Sequence, residues 1–216
     1  MKKLYFILLL IGIMLLTGNL CLSMERKSVL SGKVIVIDPG HGGMDGGTNV
    51  GNIYEKDINL EISLLLKKRL EEYGVKVLMT RDGDYDLSTP NTNHRKKSDF
   101  DNRIKLINES NADMYLSIHI NYLSDTSVYG IQTFYSNDNE QIANILQNEF
   151  KNSLNSPLDK KRISNSIYMY KHINVPGVLI ECGFLGNNND RRLLLSNDYR
   201  EKLAKAIINS LIIYYK

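Results

Sequence analysis

Cysteine is scarce in this chain: only Cys21 and Cys182 occur among 216 residues. Cys21 falls in an N-terminal segment that reads as an export leader. The body therefore keeps one thiol, and a disulfide framework is excluded even for an exported protein. Glycine and proline form few clusters, so no long disordered tail is written into the composition. Basic runs are missing as well. Lys plus Arg number 27 against 24 Asp plus Glu, a net charge of +3, and subtracting Lys2 and Lys3 with residues 1–23 leaves +1. A nearly neutral body has no electrostatic footprint for nucleic acid. There is also no internal repeat and no low-complexity tract. With 43% hydrophobic and 24% charged residues, what remains is an ordinary globular composition, long enough for one sizeable core.

The N-terminus stands apart. Met1-Lys2-Lys3 is a short positive start, and Leu4 to Ser23 carries no charge. Leu4 to Leu16 forms the apolar region of an export signal, and Cys21 and Ser23 offer small residues at the −3 and −1 positions of a cleavage site. As a helix the uncharged stretch would span roughly 30 Å, so an uncleaved membrane anchor through residues 4–23 is an equally physical outcome. A buried core helix fits poorly, because the segment has no polar face. The expected organisation is a leader or anchor at 1–23, a linker at 24–32 and one catalytic domain at 33–216. Either form of the leader puts that domain outside the cytoplasmic membrane.

Lys33-Val-Ile-Val-Ile-Asp38 is β-branched without polar alternation, which predicts a strand buried on both faces. Ile58, Ile62, Leu65, Leu66 and Leu70 recur at helical spacing within Glu55–Tyr73, and Gly74 is a stop signal. Val75–Met79 reads as a second strand. Strand, helix, strand is the opening of an α/β fold with a largely parallel central sheet covered by helices on both faces. Asp82–Ser98, polar and carrying Pro90, Asn91 and Asn93, predicts a long surface loop. Further elements follow: a short helix over Phe100–Glu109, a strand over Met114–His119, and a strand nearer an edge over Gly130–Tyr135. A helix carries Ile142, Ile145, Leu146 and Phe150. A strand over Val178–Glu181 and a closing helix with Leu203, Ile207, Leu211 and Tyr214 complete the set.

Three predicted strands end in chemistry. Asp38-Pro-Gly-His-Gly-Gly43 leaves the first through a glycine-rich turn, Ser117-Ile-His119 ends the third, and Glu181-Cys-Gly-Phe184 ends a late one. Functional groups gather at the carboxyl ends of strands in such sheets, so His41, His119 and Glu181 can converge. Each has a plainer explanation. A single His119 suits a core histidine, and Glu55 suits the positive end of the first helix. Glu181 is harder to set aside, because an acid closing an apolar strand must be paired, exposed or functional.

The chain resembles the zinc-dependent N-acetylmuramoyl-L-alanine amidases of bacterial cell walls over nearly all of residues 33–216. The motifs that carry the resemblance are Ile37-Asp-Pro-Gly-His-Gly-Gly43, Glu55-Lys-Asp-Ile-Asn-Leu60, Leu116-Ser-Ile-His-Ile-Asn121 and Val175-Pro-Gly-Val-Leu-Ile-Glu-Cys-Gly-Phe-Leu185. Within that family the layout is most similar to the amidases of sporulation and germination. The resemblance implies a zinc exopeptidase-like fold and one Zn2+ held by His41, Glu55 and His119, with Glu181 as catalytic acid/base. It implies hydrolysis of the bond between N-acetylmuramic acid and L-alanine of the peptidoglycan stem. Two imidazoles and a carboxylate form a three-ligand set with a fourth position open, which suits catalytic rather than structural zinc. Two rival readings share these residues: a carboxypeptidase-like zinc exopeptidase, and a wall-binding protein without catalysis. The first lacks a recognisable clamp for a terminal carboxylate. The second has no need of the intact His, Glu, His and Glu set.

Other candidates point elsewhere. His94 lies beside Arg95, Lys96 and Lys97, a poor setting for a dication, and His172 is expected at the surface. Cys182 should point away from Glu181 along the strand and serve packing. Arg103 matches an arginine common in the family and receives no chemical role. No appended wall-binding module is visible, so targeting is expected to come from the membrane anchor or from an activating partner protein. The 82–98 loop is expected to border the groove and gate it or receive that partner.

Overall fold

Buried β-branched strands need helices on both faces, and the computed structural model meets that need. It describes residues 28–136, 139–162 and 168–216; the predicted leader lies outside them. Strand β1 (Val34–Pro39) is followed by a two-stranded ribbon, β2 (Asn49–Val50) and β3 (Ile53–Tyr54), and by helix α1 (Glu55–Glu72). Then come β4 (Lys76–Met79), α2 (Arg95–Glu109), β5 (Met114–Asn121), β6 (Gln132–Tyr135) and α3 (Glu140–Leu154). The chain continues through β7 (Lys161–Arg162), α4 (Tyr168–His172), β8 (Gly177–Phe184), α5 (Asn188–Leu194) and α6 (Asn197–Tyr214).

The six-stranded sheet runs β4-β1-β5-β8-β6-β7. Its first four strands are parallel, β6 runs antiparallel to β8, and β7 pairs parallel with β6. Side-chain alternation divides the core in two. Ile35 and Ile37 of β1, with Met114, Leu116, Ile118 and Ile120 of β5, pack beneath α1, α3 and α6. Val36 and Tyr115 point the other way, toward Ile104 and Ile107 of α2 and Met169 and Tyr170 of α4. Leu30 is fully buried in the larger cluster, so packing already includes the end of the segment read as a linker.

Two sequence expectations need adjusting. The loop after β4 ends at His94, and α2 begins at Arg95, five residues before the predicted helix. Composition hid this start. The polar run Arg95–Ser98 leads into Asp99 and Arg103, which are polar yet buried. Glu181 lies inside β8, which runs on to Phe184, because Asn121 of β5 still pairs there after a register shift. As expected, β6 lies nearer an edge, second from it with β7 outside.

Candidate metal centre

The carboxyl ends of β1, β5 and β8 lie side by side, and each delivers a residue singled out in the sequence. Pro39 closes β1, and the chain turns sharply through His41, Gly42 and Gly43, all with positive φ (61°, 133° and 56°). Left-handed backbone is costly for a histidine, so the surroundings must hold it. Two buried arginines do so. Arg103 donates to Asp38 Oδ1 at 2.7 Å, to the Pro39 carbonyl at 2.8 Å and to the His41 carbonyl at 2.6 Å. Its Nε also bonds Asp99 at 3.0 Å. Arg81 donates to the carbonyls of Pro39 at 3.0 Å and Gly40 at 2.8 Å. Burial alone would push the Asp38 carboxyl up, but Arg103 and the Thr80 hydroxyl outweigh it and hold it below its usual range. The loop after β4 braces the same turn: Asp84 accepts from Gly43 N at 2.8 Å and from Lys56 at 2.7 Å.

Glu55 opens α1 and is nearly fully buried. Its Oε1 lies 3.2 Å from His41 Nε2 and 3.0 Å from His119 Nδ1. Oε1 also accepts from Ile120 N at 3.1 Å and from Asn59 at 3.3 Å, and Oε2 accepts from Thr48 N at 3.0 Å. Burial raises the carboxyl, yet hydrogen bonds from His119 and His41 prevail and keep it well below the carboxylate range. Burial likewise works against a charged His41, while Glu55 and Asp45 together raise its pKa above 6.5. The two imidazole rings meet edge to face, with centroids 5.1 Å apart. Two glycines make the room. A Cβ on Gly40 would sit 2.2 Å from the His119 ring, and one on Gly47 would sit 2.6 Å from Glu55 Oε2.

Donor atoms of His41, Glu55 and His119 all fall within 4.8 Å of one another. Zinc–ligand bonds of about 2.0–2.1 Å in a tetrahedron separate neighbouring ligands by about 3.3 Å, close to the 3.2 and 3.0 Å between Glu55 Oε1 and the facing nitrogens of His41 and His119. The donor set and its spacing therefore fit a small divalent cation.

Glu181 on β8 is the register partner of His119 on β5. Its Oε2 is shielded from solvent and has no hydrogen-bond partner. Burial pushes the carboxyl up to about 7, against the opposing pull of His119. A carboxyl with a free oxygen and a pKa near neutrality is equipped to take up and release a proton. Cys182 points to the opposite face and is fully buried in the core. His94 and His172 are exposed.

Several supporting residues escaped the sequence reading. Asn59 stands one helical turn after Glu55 and ties its Oε1 to the Gly40 carbonyl, donating to the latter at 3.2 Å. The i, i+4 spacing was the available signal. Asp45 follows His41 by the same interval, just past the quoted motif. Arg81 offers only its charge in the sequence, and Arg103 only its match to a family arginine without a role, because the carbonyls they bind carry no sequence identity.

A model of the N-acetylmuramoyl-L-alanine amidase family matches residues 35–212. The germination-specific N-acetylmuramoyl-L-alanine amidase of Bacillus subtilis is 39% identical over 192 residues, which cover 86% of this chain and 81% of that protein. The CwlD amidase of Clostridioides difficile, solved in complex with the GerS lipoprotein, superposes with a TM-score of 0.80 at 37% identity. That match covers 84% of this chain and 98% of the other. The amidase AmiC2 of Nostoc punctiforme gives a TM-score of 0.73 at 28% identity, covering 85% of this chain and 98% of its own.

Proposed function

Because the chain belongs to the N-acetylmuramoyl-L-alanine amidase family of enzymes, we propose that it hydrolyses the amide between N-acetylmuramic acid and the L-alanine of the peptidoglycan stem, using one zinc ion. The observation that carries this reading is the His41–Glu55–His119 cluster with the unpartnered oxygen of Glu181 beside it. The three clustered side chains would hold the metal. When bound, zinc supplies the Lewis acidity that polarises a carbonyl and stabilises charge on its oxygen.

The chain's own part is proton movement and placement. Glu181 accepts a proton from water as it attacks the lactyl carbonyl, and returns it to the alanine nitrogen as the carbon–nitrogen bond breaks. Such transfer contributes about 10²–10⁴-fold. Asn59 and the backbone N–H groups of Thr48 and Ile120 fix the Glu55 carboxylate. Arg81 and Arg103 fix the turn that bears His41.

The germination-specific role in the name of the Bacillus subtilis relative supports a part in germination, and we extend it to spore cortex as the substrate. The lipoprotein bound to the Clostridioides difficile relative supports a partner protein here too. The uncharged stretch of residues 4–23 supports export, by cleavage or as an anchor. Among the described residues no helix is long and apolar enough to cross a membrane.

Mass spectrometry of muropeptides after incubation with the zinc-loaded chain, partner added where required, tests the proposal. Free stem peptides with a new N-terminal alanine are expected. Loss of single terminal residues would indicate an exopeptidase, and an unchanged digest would indicate binding without catalysis.

A further inference from the structure

His41 is gripped on both ring nitrogens. Its Nε2 faces Glu55, and its Nδ1 lies 3.1 Å from Asp45 Oδ2. Asp45 is delivered there by the backbone. Gly42 and Asp45 form an antiparallel bridge, with Gly42 N donating to the Asp45 carbonyl at 2.9 Å and Asp45 N to the Gly42 carbonyl at 3.0 Å. This tight turn folds the chain back over the His41 ring. The remaining oxygen, Oδ1, accepts from Gly47 N at 3.2 Å, which fixes the carboxylate's orientation. Neither side chain is a free surface group, since His41 and Asp45 are only 21% and 19% exposed. Lys96 stands 3.9 Å from Oδ2 and offsets part of its charge. Among the described ion pairs, His119 shows a carboxylate on Nδ1 only, so the two histidines are supported differently.

We propose that Asp45 is a positioning residue for the metal site, orienting His41 by accepting a hydrogen bond from its Nδ1–H so that the Nε2 lone pair faces the centre of the cluster. The inference rests on reading His41 as a ligand. The chemistry follows from which groups donate. A carboxylate only accepts, so it selects the Nδ1–H tautomer and leaves Nε2 free for a metal. An amide at position 45 with its NH2 toward the ring would favour the opposite tautomer and place a hydrogen on Nε2. Partners of this kind are commonly worth 10–100-fold in metal affinity.

Zinc dissociation constants, obtained by competition with a chromophoric chelator, and melting temperatures of the metal-free proteins test this on the full chain. Asp45→Asn keeps the side-chain volume and an oxygen for Gly47 N. It should weaken zinc binding at least about tenfold while the metal-free protein melts with the wild type. His41→Ala should weaken it further. Unchanged affinity in Asp45→Asn, with His41→Ala impaired, overturns the inference and leaves the site intact. Wild-type affinity in His41→Ala instead removes His41 from the ligand set, and the inference falls with it. If Asp45→Asn also melts early, Asp45→Glu decides. Affinity recovered above that of Asp45→Ala supports orientation by the carboxylate, and none recovered overturns it.

Discussion

His119 and Glu181 are register partners on neighbouring parallel strands, and alternation along each strand turns both side chains to one face of the sheet. The pairing brings an acid and a candidate metal ligand together from positions 62 residues apart in the chain. It also leaves a carboxyl where burial opposes its charge. Glu181 is thus a group that costs stability in the metal-free fold, as functional groups often do.

That cost has a pH signature. The folded pKa is raised from 4.5 to about 7, so the native state binds the proton more tightly, and stability falls as pH rises between those values. Metal-free Glu181→Gln should therefore be more stable than wild type at pH 8, by up to about 3 kcal/mol. The advantage should vanish below about pH 4.5, where both side chains are neutral. Denaturant unfolding at the two pH values checks this.

Zinc affinity should also depend on pH. Glu55 and Asp45 flank His41 and raise its pKa, so it holds its proton to higher pH than a free imidazole in the metal-free protein. Protons then compete with metal near neutrality, while Glu55 stays ionised throughout. Chelator competition from pH 8 to 6 should show weakening zinc affinity, with a smaller pH dependence in His41→Ala.

Gly40→Ala should lose zinc binding. The added Cβ would lie 2.2–2.5 Å from three atoms of the His119 ring, and the ring must leave its place beside Glu55. The variant should fold, since Gly40 is not among the positive-φ residues. Circular dichroism together with metal analysis separates these outcomes.

Arg103→Met should be severely destabilising. It strips Asp38 and Asp99 of a buried partner, and uncompensated buried charge typically costs about 3–5 kcal/mol. It also frees the His41 carbonyl. Chemical denaturation of the metal-free protein measures the loss.

Much of the fold was legible because its signals are local. The β-branched run at Val34–Ile37 and the helical spacing from Ile58 to Leu70 each record a buried face, and those elements fall within a residue or two of expectation. The meeting of the candidate residues was legible through strand ends, where His41, His119 and Glu181 each follow an apolar run. Elements without a periodic apolar face were missed. The ribbon β2–β3 has two residues per strand, and α5 is fixed by Asn187 capping and by Asp190, which accepts from Gly130 N at 2.8 Å and Phe184 N at 2.9 Å. Although the cap itself is local, the bond to Gly130 crosses 60 residues of chain. The same holds for the start of α2, where a charged run conceals Asp99 and Arg103 turned inward. Nothing local announces that Arg81 and Arg103 bind the backbone of the His41 turn, because carbonyl acceptors carry no sequence identity.

The most direct test compares zinc content and hydrolysis in Glu181→Ala and His119→Ala. The account predicts that Glu181→Ala retains wild-type zinc and releases no stem peptide, whereas His119→Ala loses the metal. Equal zinc loss in the two variants would make Glu181 a ligand and leave the proposed proton transfer without its base.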